Sequence, residues 1–427
     1  MRLAMPILAV LAGTLCTHSA QQGTAAEDAP WQRHTIDNSS RGADGVRLAD
    51  VNGDGLLDMT TGWEEGGVIR VYLNPDPQRA TLLWPAVTVG KVKSPEDAVF
   101  ADLDGDGAID VVSSCEGKTR TMFVHWAPAE AEDYLTESAW KTQAFPATQN
   151  EQLWMFALPL DVDGRNGVDL IVSSKGDNGS IGWLESPANP RDINAWKYHR
   201  LRDSGWIMSL VARDMDGDGD HDVVASDRKG SARGILWLMN PGPEAARLGR
   251  RWFDRTLAAT NREVMFLDSF QANSDGGRLQ ILAAAKPAEI LWFRRKPERS
   301  TPEQPAYEVE LELRESIELE RDGIGTAKSV RAADLDLDGN MDLVFSCEQA
   351  DGNREGVFWL RGNGEVGLAA SDWQRHPISG SEGVKFDLLQ LLDLDADGDL
   401  DVITCEERTN LGVIWYENPA KQPASSR

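Results

Sequence analysis

An acidic nonapeptide that recurs at long, nearly regular spacing constrains this chain more than any other feature. Residues 393 to 401 read DLDADGDLD, with carboxylates at positions 1, 3, 5 and 9 and glycine at position 6. Acidic side chains at alternate positions of a tight loop converge on one point, and glycine at 6 permits the sharp turn that lets them do so. A hard cation takes six to eight oxygens, and Ca²⁺ tolerates the irregular geometry of such a loop. Without a cation the crowded carboxylates repel each other by about 1 kcal/mol per pair even in a water-like dielectric.

Five copies are complete: Asp50, Asn52, Asp54 and Asp58; Asp102, Asp104, Asp106 and Asp110; Asp214, Asp216, Asp218 and Asp222; Asp334, Asp336, Asp338 and Asp342; Asp393, Asp395, Asp397 and Asp401. These are the expected ligands of about five Ca²⁺ ions. In a sixth copy, Asp161 to Asp169, Arg165 replaces the third ligand, and its guanidinium is expected to pair with the carboxylates in place of a cation. A seventh region, near Asp268 to Asp275, is acidic but lacks the spacing. An EF-hand would need an acidic residue at position 12 and a following helix. Position 12 here is Thr61, Ser113, Ala225, Phe345 and Thr404, and short β-branched, apolar runs follow each loop.

The loops begin at residues 50, 102, 161, 214, 334 and 393, with the degenerate unit near 268. A period of about 50 to 60 residues built of short strands points to propeller blades. Each unit carries four strand-like runs, A to D. Run A precedes the acidic loop (Val46-Arg-Leu-Ala) and run B follows it (Val111-Val-Ser-Ser). Run C is aromatic and often ends in Asn-Pro, as in Val413-Ile-Trp-Tyr-Glu-Asn-Pro; run D begins with Trp, as in Trp31-Gln-Arg-His. The expected fold is therefore all-β: a seven-bladed β-propeller of four-stranded blades, with calcium-binding loops between A and B. The repeats begin with a D run, Trp31 to Ile36, and end with a C run, Val413 to Pro419. Pairing these two runs closes the ring and covers two open edges. The longest interval is expected to hold a polar insertion from Arg295 to Asp322.

Eleven of the fifteen Trp follow the period and are expected to pack between blades, as are His34, His199 and His376. Cys115, Cys347 and Cys405 end B runs and are read as free core cysteines. No Ser/His/Asp triad, zinc cluster or phosphate loop stands out.

The formal net charge is −26, and five Ca²⁺ ions would bring it to −16. This balance argues against nucleic acid and anionic membranes as partners. Residues 1–26 read as a secretory signal peptide, with Arg2 followed by an apolar run, which implies a secreted, periplasmic or cell-surface protein. Leu15 before Cys16 fits a lipidation signal poorly. No later run is long enough to span a bilayer. The expected organisation is a short segment at 27–30, the propeller at 31–419 and a disordered tail at 420–427.

The loops and the blade period resemble the FG-GAP/VCBS repeat proteins, seven-bladed propellers related in architecture to the integrin α-subunit head. The resemblance covers residues from about Trp31 to Pro419. It implies that the acidic loops lie on one face and that the B–C and D–A loops gather on the other, where integrin heads meet partners. The family includes recognition proteins and carbohydrate-active enzymes, so membership does not decide activity.

On that second face stand Glu64, Glu116, Lys175, Asp227, Arg228, Lys286, Glu348 and Glu406, each just past a B run. They occupy nearly the same repeat position, yet their charge varies from blade to blade, whereas a structural requirement would repeat one residue type. Trp63 follows a B run; Trp154, Trp206, Lys328 and Lys385 precede A runs. Apolar surfaces beside mixed charges suit a sugar. The competing reading is a solvated rim of mutual salt bridges. Two functions remain open: a recognition module for a glycan or protein partner, and a carbohydrate-active enzyme of the polysaccharide lyase or sugar dehydratase type.

Overall fold

The run after each acidic loop is buried along its whole length. Asp110–Cys115 (DVVSSC) exposes no residue, so it must be covered on both faces. A computed structural model, which describes residues 29–272, 276–297, 309–364 and 373–421, covers it by stacking blades. The strands form seven four-stranded antiparallel sheets. In blade 2 they are Pro95–Ala101, Asp110–Cys115, Thr121–Trp126 and Lys141–Ala144, in the order A-B-C-D. The A strands of successive blades pack against one another and so line the ring's centre. The expected leader and the end of the tail, residues 1–28 and 422–427, lie outside the described residues.

The ring closes as the order of runs requires. Blade 7 takes Gln390–Leu392, Asp401–Glu406 and Gly412–Glu417 from the end of the chain, and its outer strand is Gln32–Asp37. The last pairing is antiparallel, with Gln32 opposite Glu417 and His34 opposite Trp415.

The periodic aromatic residues pack within and between the blades. A C-strand Trp faces a D-strand His across the ladder in three blades: Trp415 and His34 stack at 4.4 Å, Trp359 and His376 at 4.7 Å, and Trp183 and His199 lie 4.9 Å apart. His34 and His199 each reach a neighbouring carboxylate, Glu417 and Glu185, at 2.7 Å. Trp84, Trp140, Trp196 and Trp252 precede their D strands and are buried. Cys115, Cys347 and Cys405 are free and buried, and burial raises their thiol pKa values.

The interval from Arg295 to Asp322 departs from expectation. It is not simply an insertion, because Leu311–Glu318 (LELRESIE) is the missing D strand of blade 5. It went unrecognised because it lacks the leading Trp and carries charges on its exposed positions. Charged side chains there suit an outer strand, where they discourage edge-to-edge pairing. Residues 298–308 of that interval lie outside the described residues.

Candidate functional site: acidic loops on one face, a charged channel mouth on the other

Each acidic loop holds itself together with its own carboxylates. In the loops starting at Asp50, Asp102 and Asp214, position 1 accepts backbone N–H groups from positions 4 and 6, as Asp50 does from Gly53 at 2.8 Å and Gly55 at 2.9 Å; Asp334 and Asp393 accept from position 6, and Asp161 from position 4. Position 3 accepts from position 5 and position 5 from position 7, as Asn52 does from Asp54 and Asp54 from Leu56. In the five complete loops positions 4 and 6 have positive φ; glycine holds position 6 in all five, with 86° at Gly55, whereas position 4 is glycine in three, with 74° at Gly53, and is Leu337 at 61° and Ala396 at 59° in the other two.

Position 9 does a second job. Asp58 accepts from Val51 in its own loop at 3.0 Å and from Asn74 beyond strand C at 2.8 Å. Asp110, Asp169, Asp222, Asp342 and Asp401 repeat this double bond to Leu103 and Ala127, Val162 and Ser186, Met215 and Asn240, Leu335 and Gly362, and Leu394 and Asn418. The residue therefore ties the loop to the end of strand C, which explains why it persists in the unit containing Arg165. Burial pushes its carboxyl up, to about 6 at Asp58 and about 8 at Asp401, against the backbone donors that pull it down.

The donor set fits a hard cation. Carboxylate oxygens of Asp102, Asp104 and Asp110, of Asp161, Asp163 and Asp169, of Asp214, Asp216 and Asp218, and of Asp334, Asp336 and Asp342 lie within 4.8 Å of one another in each loop. Asp334 Oδ1, Asp393 Oδ1 and Asp397 Oδ2 are buried without a hydrogen-bond partner. Sequence reasoning missed Asp220 and Asp399 at position 7, each with an unpartnered buried Oδ1 and a carboxyl raised first by burial and then by the other loop aspartates.

Two expectations about the irregular units need correction. Arg165 is exposed and makes no ion pair with its loop; Arg247, from the short helix Pro243–Arg247, reaches the Asp163 carbonyl at 2.7 Å instead. The guanidinium pairing expected of it occurs in two complete loops, where Arg191 pairs with Asp104 and Asp106 and Arg361 with Asp336 and Asp338. Asp268 belongs to no loop. It lies within the A strand Glu263–Ala272 and pairs with Arg331 at 3.1 Å; Asp275 lies outside the described residues.

On the opposite face the channel opens into a cavity of about 310 Å³. Eight of the expected ligand-facing residues line it: Glu64, Glu116, Lys175, Trp206, Arg228, Lys328, Glu348 and Lys385. Lys286 sits behind them, paired with Glu348. The other four do not face the cavity. Trp63 is fully buried and donates to Tyr72 Oη at 2.9 Å. Trp154, also fully buried, donates to the Thr148 carbonyl at 3.0 Å. Asp227 accepts N–H groups from Gly205, Trp206 and Lys229 and so fixes the turn that carries Trp206. Glu406 gathers the N–H groups of Val384, Lys385, Arg408, Thr409 and Leu411. In all four, satisfying buried polar groups or filling the core outweighs exposure. Trp154→Ala is thus expected to cost about 3–5 kcal/mol of stability, read as a lower urea midpoint.

The same cavity is lined by Asp44, Glu96, Met155, Met208, Phe266 and Asp387, which sequence reasoning missed. With Lys328 they make a ring of one residue per blade. Asp44, Glu96, Met155, Met208, Lys328 and Asp387 each stand six residues before the first loop aspartate. The cause is a β-bulge near the start of the A strand. Pairing skips between Pro95 and Asp97, Trp154 and Phe156, Ile207 and Ser209, and Ala327 and Ser329, leaving Glu96, Met155, Met208 and Lys328 as the extra residues. A bulge re-aims its side chain, so strand alternation does not reveal it; counting back from the loop does.

The ring is divided. Asp44, Glu96, Lys328 and Asp387 make one side polar, and Met155, Met208 and Phe266 make the other apolar. Lys328 lies 2.7 Å from Asp387 and 3.8 Å from Glu348. Lys175 pairs with Glu96 at 3.2 Å and with Glu116. Trp206 has three cations around its ring, Arg228 at 4.5 Å, Lys175 at 4.7 Å and Lys229 at 4.9 Å. Burial, then the carboxylates of Asp387 and Glu96, holds the Asp44 carboxyl well above its usual range. The two carboxylates on Lys328 respond differently: Glu348 and Asp387 are held low by that ammonium despite burial.

Comparison with known proteins agrees with this fold. The FG-GAP-like repeat family matches residues 50–113, one full period from the first acidic loop through the second. No curated protein matches the sequence. Among solved structures, BBS1N in complex with ARL6DN is similar in fold. The mercury-soaked crystal has a TM-score of 0.50 at 11% identity, covering 91% of this chain and 95% of that one. The lead-soaked crystal has a TM-score of 0.50 at 10% identity, covering 94% and 98%. This chain is a seven-bladed β-propeller carrying an FG-GAP-like repeat at residues 50–113.

Proposed function

We propose that the protein is a calcium-binding recognition propeller whose ligand, a glycan, sits in the channel mouth opposite the acidic loops. The divided ring carries this reading. A sugar presents C–H faces and hydroxyls together, and the mouth offers Met155, Met208, Phe266 and Trp206 across from a dense set of carboxylates and ammonium groups. A cavity of about 310 Å³ has the volume of a small-ligand site, whereas a protein partner would more commonly cover a broad surface of about 800 Å². The protein acts outside the cytoplasm, where calcium is abundant enough to fill loops with dissociation constants of about 0.1–1 mM. No described helix is long and apolar enough to cross a membrane.

The test is a polysaccharide panel presented to the calcium-loaded protein and assayed for both binding and product release. Trp206→Ala and Glu116→Gln are expected to weaken binding at least tenfold and to leave the thermal transition within a few degrees of wild type. Product release, lost in the same variants, would move the protein to the enzyme reading. A bound glycan whose affinity neither substitution alters would place the site elsewhere.

A further inference from the structure

The cations at the mouth do not pair directly with all of its carboxylates. Lys175 is engaged by Glu96 and Glu116, Lys328 by Asp387 and Glu348, and Lys385 by Glu407. Arg228 pairs outward with Glu263. Asp44 and Glu64, both lining the cavity, have no hydrogen bond or ion pair through their carboxylates among the described residues. Asp44 is only 7% exposed. A buried carboxylate without a partner is costly, and this one faces the cavity at the bulge of strand A. Oxygens of Asp44, Glu64 and Glu96 lie within 4.8 Å of one another, on two adjacent blades and outside every acidic loop.

The cavity's formal charge points the same way. Six carboxylates line it (Asp44, Glu64, Glu96, Glu116, Glu348 and Asp387) against four cationic groups (Lys175, Arg228, Lys328 and Lys385). The excess is two negative charges, and it falls where Asp44 and Glu64 stand.

We propose that Asp44, Glu64 and Glu96 hold a hard divalent cation at the channel mouth, a site separate from the A–B loops. An all-carboxylate donor set selects Ca²⁺, Mg²⁺ or Mn²⁺ over softer metals. One such ion neutralises the excess charge and gives Asp44 a direct partner, where Lys328 and Lys385 act on it only through space. The remaining coordination positions open into the cavity, where water or an oxygen-rich ligand completes the shell. The site does not depend on the glycan reading, since the ion can bind whether or not a sugar does.

Wild-type crystals soaked in MnCl₂ test this directly by anomalous scattering. The expected result is a peak at coordination distance from Asp44, Glu64 and Glu96, alongside peaks in the loops. Loop peaks with none at the mouth overturn the proposal, and this needs no variant. In solution, the double substitution Asp44→Asn with Glu96→Gln is expected to bind one Mn²⁺ fewer per chain in equilibrium dialysis. An unchanged count in a double variant that melts as wild type does also overturns it. Glycan binding is measured separately on the same samples, so loss of one reading does not carry the other with it.

Discussion

A chain lacking residues 29–37 is expected to lose most of its cooperative thermal transition. That segment supplies the outer strand of blade 7, whose other three strands come from the far end of the chain. Its removal takes out Trp31 and Ile36, both buried and each in a different core cluster, and uncovers Ile414 and Tyr416, which pack in the cluster of Trp31. Four large apolar side chains at about 1.5–3 kcal/mol each put the loss at roughly 6–12 kcal/mol. That is comparable to the whole folding free energy of a typical domain, about 5–15 kcal/mol. Circular dichroism melting checks the expectation. A permuted chain that begins at Asn38 and carries residues 29–37 after Lys421, through a linker as long as the one joining Tyr72 to Ala86, should recover the transition, because every other blade receives its D strand by such a connection. If the truncated chain melts as wild type does, the closing strand contributes nothing.

Removal of calcium is the second large effect. Each loop that binds the ion only in the folded state adds roughly 1.4 kcal/mol at ten times its dissociation constant. Five independent loops would together add about 7 kcal/mol. Unfolding entropies of about 2 cal/mol/K per residue convert this to a drop in melting temperature of about 8 °C for a chain of this length. EDTA should therefore shift the transition by about that amount, and excess Ca²⁺ should restore it. An unchanged melt, with no calcium copurifying, would mean that the loops are not metal sites. The loops need not unfold when stripped, because their turns are fixed by carboxylate-to-backbone bonds within nine residues.

Those short-range bonds are the reason the loops were legible. Positions 1, 3 and 5 each serve an N–H two to five residues ahead, so local sequence specifies the turn without help from the rest of the fold. The second bond of position 9 was not legible, because its donor lies beyond strand C, 16 residues away for Asp58 and Asn74. Blade count and closure were legible for a related reason. The period numbered the blades, and the order of runs left one D at the start and one C at the end.

The channel mouth was only partly legible. Glu64 stands six residues past its position-9 aspartate and lines the cavity, whereas Glu406 stands five past its own, in register with Trp63 and Asp227, and turns back to accept the N–H groups of its own B–C loop and of Val384 and Lys385. One residue of strand alternation separates them: the residues six past the aspartate (Glu64, Glu116, Lys175, Arg228, Glu348) line the cavity, and those five past it (Trp63, Asp227, Glu406) turn into the protein. Trp154 and Trp206 are alike in the sequence, but Trp154 lies within its A strand, Leu153–Leu160, and fills the core between blades 2 and 3, whereas Trp206 precedes its strand and is held at the mouth by the turn that Asp227 fixes.

By itself, then, the sequence determined the seven-fold repeat, the all-β blades, the pairing of the two ends and the local geometry of the acidic loops. Each follows from periodicity or from hydrogen bonds that span a few residues. Only the tertiary structure decided which charges meet at the mouth. Glu96, Met155, Met208 and Lys328 point there because a bulge shifts each of them out of strand alternation. Asp44, Glu64 and Glu96 converge because neighbouring blades bring them together. A bulge changes where a side chain points without changing its strand, and blade packing joins residues far apart in sequence, so strand alternation shows neither.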